Sequence, residues 1–161
     1  MLFRSLMLKN LGLYDSIIRI PWILRYPGCI AGQRDNRLVE SIDWASTVTA
    51  LCDISALPCS EGGDITKACE QEKTHVFCDW QWNNERLCAV RNHKDKLVYY
   101  AQEQSGEFYN IQHDPNEMQN LWDDESAWPS REALLKLLLS HVMKHPLRDR
   151  KSTRLNSSHR I

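Results

Sequence analysis

Four short runs of apolar, β-branched and aromatic residues follow one another late in the chain. They are His75–Trp80, Arg86–Arg91, Lys96–Tyr100 and Phe108–Ile111, each separated from the next by a few polar residues. Such runs with short polar separations predict an antiparallel meander of four strands. The pattern then changes period. Ser130 is placed to cap a helix over Arg131–Lys144, where Leu134, Leu138 and Val142 fall in register with Leu135 and Leu139 beside them. That stripe needs a partner, and the preceding sheet is the nearest. Between strand and helix, Asp114 fits an N-cap, Pro115 the first helical position and Glu117 a return bond to the cap, so a short helix is expected there too.

The earlier half is less regular. Leu13–Ile20 reads as a short helix or turn ended by Pro21, and Trp22–Tyr26 as a strand buried on one face, closed by Pro27-Gly28. Cys29–Arg37 forms a loop, and Leu38–Ile42 a short strand or extended lead-in. Asp43 is the expected N-cap of a helix whose face is Trp44, Val48, Leu51 and Cys52, at spacings of 4, 3 and 1. The helix should stop near Asp53–Ser55. Ser55–Lys73, with Pro58, Gly62 and Gly63, is a long loop, and loops of that length are functional or mobile.

Length and charge narrow the picture. At 161 residues the chain has room for one domain with a modest core. No apolar run approaches the roughly 18 residues that would span a bilayer, so no membrane partner is expected. Met1–Ser16 makes a poor secretory signal, because Lys9 interrupts its apolar stretch. The formal charge is −1. Residues 147–161 are expected to be a disordered tail, and the last eleven, KSTRLNSSHRI, read as translated adapter sequence. Setting aside Lys151, Arg154 and Arg160 of that tail leaves 17 basic against 21 acidic residues, a net of −4. A body of that sign offers no basic stripe for nucleic acid.

The six cysteines contain no C-x-x-C pair and so lack zinc-knuckle spacing. Scattered thiols of this kind are usually small buried hydrophobes, although one disulfide within Cys59–Cys88 is compatible with an exported protein. His75, His93 and His113 have no acid or thiol at ligand spacing. Asp114 and Glu117 form a carboxylate pair that capping explains more simply. No metal site is read from these residues.

Three ordered segments carry a family resemblance. LYDSIIRIPWILRYPG (Leu13–Gly28), LVESIDWASTVTALCDI (Leu38–Ile54) and KLVYYAQEQSGEFYNIQHDPNEMQNLWDD (Lys96–Asp124) resemble, in order, segments from the C-terminal part of sulfatases. The second departs from the family in having Ser46 where a proline is usual. The resemblance implies an α/β fold of the alkaline-phosphatase-like kind, an α+β arrangement within these residues. Residues 1–54 would then end the α/β catalytic domain and 55–73 form a loop. Residues 74–146 would make a small C-terminal subdomain, an antiparallel four-stranded sheet packed on a helix.

It also implies sulfate-ester hydrolysis by the whole protein, acting on a small molecule or a glycan. The family uses a formylglycine made from the Cys or Ser of a C/S-x-P-x-R motif, and a calcium ion held by Asp and Asn side chains. This sequence has no C/S-x-P-x-R. Nucleophile and metal ligands are therefore expected in a missing N-terminal portion of the same protein, leaving these residues inactive alone. Lys9 stands a few residues before Tyr14-Asp15, where the family has a Lys contacting sulfate oxygens, and is the one candidate catalytic residue. Trp80 and Trp82 share one strand face and are candidates for lining a substrate cleft, core packing being the simpler use. The alternatives are a phosphonate- or phosphate-ester hydrolase of the same superfamily, or a non-catalytic α+β interaction module.

Overall fold

The computed structural model describes residues 12–27, 32, 34–55, 57–58, 60–67, 72–82 and 85–144. Two helices come first, α1 (Asp15–Ile18) and α2 (Asp43–Leu51). Four strands follow: β1 (Val76–Trp82), β2 (Glu85–Arg91), β3 (Asp95–Tyr100) and β4 (Ser105–Asn110). A single 3₁₀ turn (Glu125–Ala127) then leads into α3 (Trp128–Lys144). The strands pair antiparallel in sequence order, β1-β2-β3-β4. This is the meander that the four apolar runs predict.

Register sorts the side chains onto two faces, because neighbours along a strand point opposite ways. Val90 lies opposite Leu97, and Leu97 opposite Phe108. These three, with Cys88, bury against Leu134 and Leu138 of α3. Phe77 and His141 stack nearly parallel at 3.9 Å, joining β1 to the end of α3. The other face carries Leu87, Ala89 and Val98, and Leu13 packs on it with Ile18 beside it. The sheet is thus a middle layer, with α3 on one side and the segment around α1 on the other.

Gly106 marks how tightly this is built. A Cβ added there would lie 2.4 Å from both the Trp122 ring and the Val98 carbonyl oxygen. Trp122 therefore reaches over β4 only because position 106 has no side chain.

Several local expectations give way. Trp22–Tyr26 forms no strand: Ile23 is 88 % exposed, and the segment is tied instead by the Tyr26 hydroxyl donating to the Leu51 carbonyl and by Trp22 against Trp44. No strand among the described residues lies beside it to supply a ladder. Of the two readings of Leu38–Ile42, the strand is the one that does not form, and residues 38–40 lead irregularly into α2. In α2 Ile42, not Asp43, holds the N-cap position, and the buried line is Asp43–Thr47, while Trp44 stays exposed. The reason is polar: Asp43 accepts from the Glu40 and Gly63 amides and from Lys73 Nζ, which turns that side inward.

No helix forms after Asp114. Asp114 accepts from the Met118 and Gln119 amides, four and five residues on, where a cap would accept from the amides two or three residues on. Glu117 takes a left-handed backbone (φ 55°) and sends its carboxylate to a buried lysine rather than back to the cap. An αL residue ends a helical turn, and the ion pair favours that conformation. Finally, α3 begins at Trp128, two residues before the expected cap.

Candidate functional site

The densest chemistry lies where α1 sits on the sheet. Lys96 is fully buried, at 0 % exposure, on the face opposite α3. Strand alternation puts it there: it shares a face with Val98 and Tyr100 and pairs with Arg91 and Tyr109 on the neighbouring strands. Its ammonium donates to Glu117 Oε1 and to Asp15 Oδ1, the latter at 3.1 Å. Arg91 Nε reaches Asp15 Oδ2 at 3.1 Å, and the Asp15 amide donates to Glu117 Oε2 at 2.6 Å. Two cations and two anions thus balance within one cluster. Every tie but Lys96–Glu117 joins residues far apart in the chain. Burial raises the Glu117 carboxyl above its ordinary value, against the pull of the Lys96 charge.

A second cluster adjoins it. Glu107 Oε1 accepts from the Tyr100 hydroxyl at 2.8 Å and the Tyr14 hydroxyl at 3.3 Å. Burial first, then the Glu107 charge, raises the hydroxyls of Tyr14 and Tyr109, and burial followed by the hydrogen bond to Glu107 raises that of Tyr100. They therefore stay protonated and serve as donors at neutral pH. Tyr14 and Asp15, adjacent in sequence, each anchor α1 to the same sheet face through a different partner.

The thiols of Cys78 and Cys88 are unreactive by environment. Cys88 Sγ donates to Asp79, and burial followed by that bond pushes its thiol up to about 12. Burial and then the Asp79 charge raise Cys78. Neither is a thiolate at neutral pH, and both are free. Asp79 is drawn up by burial but held below its ordinary value by the Arg86 guanidinium.

Among the described residues no group of three His, Cys, Asp or Glu side chains is placed to hold a metal ion. Of the buried acids, Asp43 is committed to Lys73 and Glu117 to Lys96, while Asp95 stands 3.9 Å from Lys94; the part-buried Asp15 is committed to Arg91 and Lys96. These residues do not fit a calcium site. An open groove of about 630 Å³ between α2 and residues 60–67 is lined by Ser46, Thr49, Asp53, Ser60, Thr66 and Lys67. Its hydroxyls are already used: Ser46 bonds Ser60, Thr49 the Ala45 carbonyl and Thr66 the Asp64 carboxylate.

Of the residues singled out from sequence, Lys9 lies outside the described residues. Trp80 stands opposite Leu87 and packs, half-buried, against the Leu13–Leu87–Ala89–Val98 cluster. Trp82 ends β1 opposite Glu85, and its side chain lies outside the described residues. Asp15, Lys96, Glu107 and Glu117 were not singled out as site residues. One signal pointed to Lys96, a charge two positions from Val98 on an inward face. Nothing local pointed to its partners.

The comparisons with known proteins agree with this fold. Residues 8–144 match the family described as N-sulphoglucosamine sulphohydrolase, C-terminal. A relative from Escherichia coli (strain K12), an uncharacterised sulfatase, is 31 % identical over 149 residues, covering 87 % of this chain and 29 % of its own length. A solved candidate sulfatase from Bacteroides thetaiotaomicron superposes with a TM-score of 0.77 at 19 % identity, covering 84 % of this chain and 32 % of that one. A phosphonate monoester hydrolase from Silicibacter pomeroyi gives a TM-score of 0.67 at 18 % identity, over 74 % of this chain and 28 % of that one. The chain spans between 25 % and 29 % of the length of the curated relatives it matches. A meander backed by one helix, faced by a Tyr-Asp segment and matched from residue 8 to residue 144, belongs to the C-terminal portion of the sulfatase family.

Proposed function

We propose that these residues form the C-terminal part of an enzyme that hydrolyses sulfate esters, amino-sugar sulfates among them, and that they have no turnover alone. The family match over residues 8–144 carries this reading. The amino-sugar ester class is suggested by a relative named N-acetylglucosamine-6-O-sulfatase, 24 % identical over 142 residues; the family's description names an N-sulfated amino sugar, a sulfamate rather than an ester. In this reading the formylglycine nucleophile and the calcium ion belong to residues outside this sequence, which contains no C/S-x-P-x-R and whose described residues hold no group of three potential ligands. The contribution from within the sequence is Lys9. An ammonium aimed at a sulfate oxygen would stabilise the charge that grows as the ester bond breaks. Trp80 is assigned to packing, since it already packs against the cluster of Leu13, Leu87, Ala89 and Val98.

The test uses two proteins and one aryl sulfate. Residues 1–161 alone should show no hydrolysis above a buffer blank. The protein extended by its upstream sequence should turn over, and Lys9→Ala in it should lower kcat/KM by about 100-fold, in line with loss of one charge-stabilising donor. Turnover by residues 1–161 alone would refute the division of labour. The phosphonate hydrolase likeness supports a second reading, which a preference of the extended protein for aryl phosphonate or phosphate over sulfate would favour.

A further inference from the structure

We infer that Lys96 and Glu117 are positioning residues: their buried ion cluster fixes where the Tyr14–Asp15 segment sits on the sheet rather than adding to the stability of the fold. Placement and stability are separate properties, and the geometry separates them. Lys96 has no exposure and Glu117 little, so ionising both within the fold carries a large desolvation cost. Burial keeps the Glu117 carboxyl above its ordinary value even beside an ammonium. For an acid so raised, the contribution to stability is present below the unfolded value and lost as pH rises through the folded one. Above that folded value the ionised Glu117 therefore opposes folding.

What the cluster does supply is direction. Glu117 Oε2 accepts the Asp15 amide while Oε1 accepts Lys96, and Asp15 returns one oxygen to Lys96 and the other to Arg91. Four groups with fixed donor and acceptor roles admit one arrangement. The apolar contacts of Leu13 and Ile18 on Leu87, Ala89 and Val98 lack that selectivity, because hydrophobic contact is non-directional. The left-handed backbone at Glu117 is the local concession to this geometry.

α1 is a single turn, too short to hold its own shape, so its place must come from outside it. If Lys9 acts on sulfate, and this clause rests on the function proposed above, the cluster fixes the point from which the chain leads back to that residue.

The test compares Lys96→Met/Glu117→Leu, which leaves the Asp15–Arg91 pair intact, with the unaltered 161-residue chain. The melting temperature should stay within about 5 °C or rise, as for other buried ion clusters replaced by apolar groups. Amide exchange at Ile17, Ile18 and Arg19, which are bonded within α1, should meanwhile speed up at least tenfold relative to the β3 amides. Wild-type exchange at these three would overturn the proposal, and so would a melting temperature that falls by more than 10 °C. Glu117→Gln keeps one acceptor oxygen but puts an NH2 donor where the other stood, so it retains only one of the two bonds and should speed exchange to a rate between wild type and the double variant; loosening larger than the double variant's would also refute it. In the extended protein the double variant should lower kcat on aryl sulfate at least tenfold with KM within twofold, the mark of an interaction made only in the transition state. An unchanged kcat would overturn the positioning role in catalysis. No turnover by the unaltered extended protein would reject the sulfatase activity and leave the exchange result to decide on positioning.

Discussion

The sheet with α3 and the segment from Leu13 to Ile65 are held by different forces. Nearly all the buried apolar residues lie between Leu87 and Leu138, in two layers either side of one sheet. In the earlier segment Leu13 is the one buried apolar side chain among the described residues, while Asp43 and Thr47 are the buried polar ones. Ile20, Ile23, Ile42, Trp44, Ile54 and Leu57 face solvent. That segment is fastened by polar ties at chosen points: Asp15 to Arg91 and Lys96, Asp43 and Glu40 to Lys73, and Glu40 to the Phe77 amide. One region is stabilised by area removed from water, the other is located by hydrogen bonds with defined partners. Changes to the first should act on global stability. Changes to the second should act on where the segment sits, and cost stability only where a fully buried, paired side chain such as Asp43 loses its charge.

The largest expected effect is in the sheet. Phe108 is 2 % exposed, packed beneath α3 against Leu97. Phe108→Ala should cost about 3–5 kcal/mol, read as a lowered denaturant midpoint at unchanged slope. A loss under about 1 kcal/mol would mean that the core is not where burial places it.

A middle-sized effect is expected at Asp43, which is 1 % exposed and accepts from Lys73 and two backbone amides. Asp43→Asn should cost about 2–3 kcal/mol at neutral pH, the range for a hydrogen bond to a charged group. The sign with pH follows from its shift. Burial would raise the carboxyl, but Lys73 and the amides hold it below its ordinary value of 3.8. Its contribution is then complete above the unfolded value and lost as pH falls through the lower folded one. The gap between wild type and Asp43→Asn should therefore close under acid, in melts run from neutral pH to below pH ~4. A gap that widened on acidification would contradict the ion pairing.

The smallest effect belongs to the exposed apolar residues. Ile23→Ser removes a side chain that is 88 % exposed and should shift stability by no more than about 0.5 kcal/mol. A marked destabilisation would show that the residue is covered in solution and would blur the contrast between the two regions.

Sequence and structure agree where one kind of signal dominates. The alternation in His75–Ile111 and the Leu134–Leu138 stripe each have one low-energy solution, a sheet face or a helix face buried on the other. They disagree where competing signals met. Asp114, Pro115 and Glu117 have every local feature of a capped helix, yet Glu117 turns to Lys96, 21 positions away. Trp22–Tyr26 has the composition of a strand but no ladder beside it among the described residues. In α2 the apolar stripe through Trp44 lost the inward side to Asp43 and Thr47.

The order of elements, the meander, the closing helix and the family resemblance were legible in the amino acids themselves, because periodicity and turn chemistry are local properties. The site was not. Lys96, Asp15, Glu117 and Arg91 are ordinary charged residues when read along the chain, and each acquires its role only from the others. A charge can be withdrawn from water only where opposite charges and donors converge on it, and folding alone brings together groups so distant in sequence.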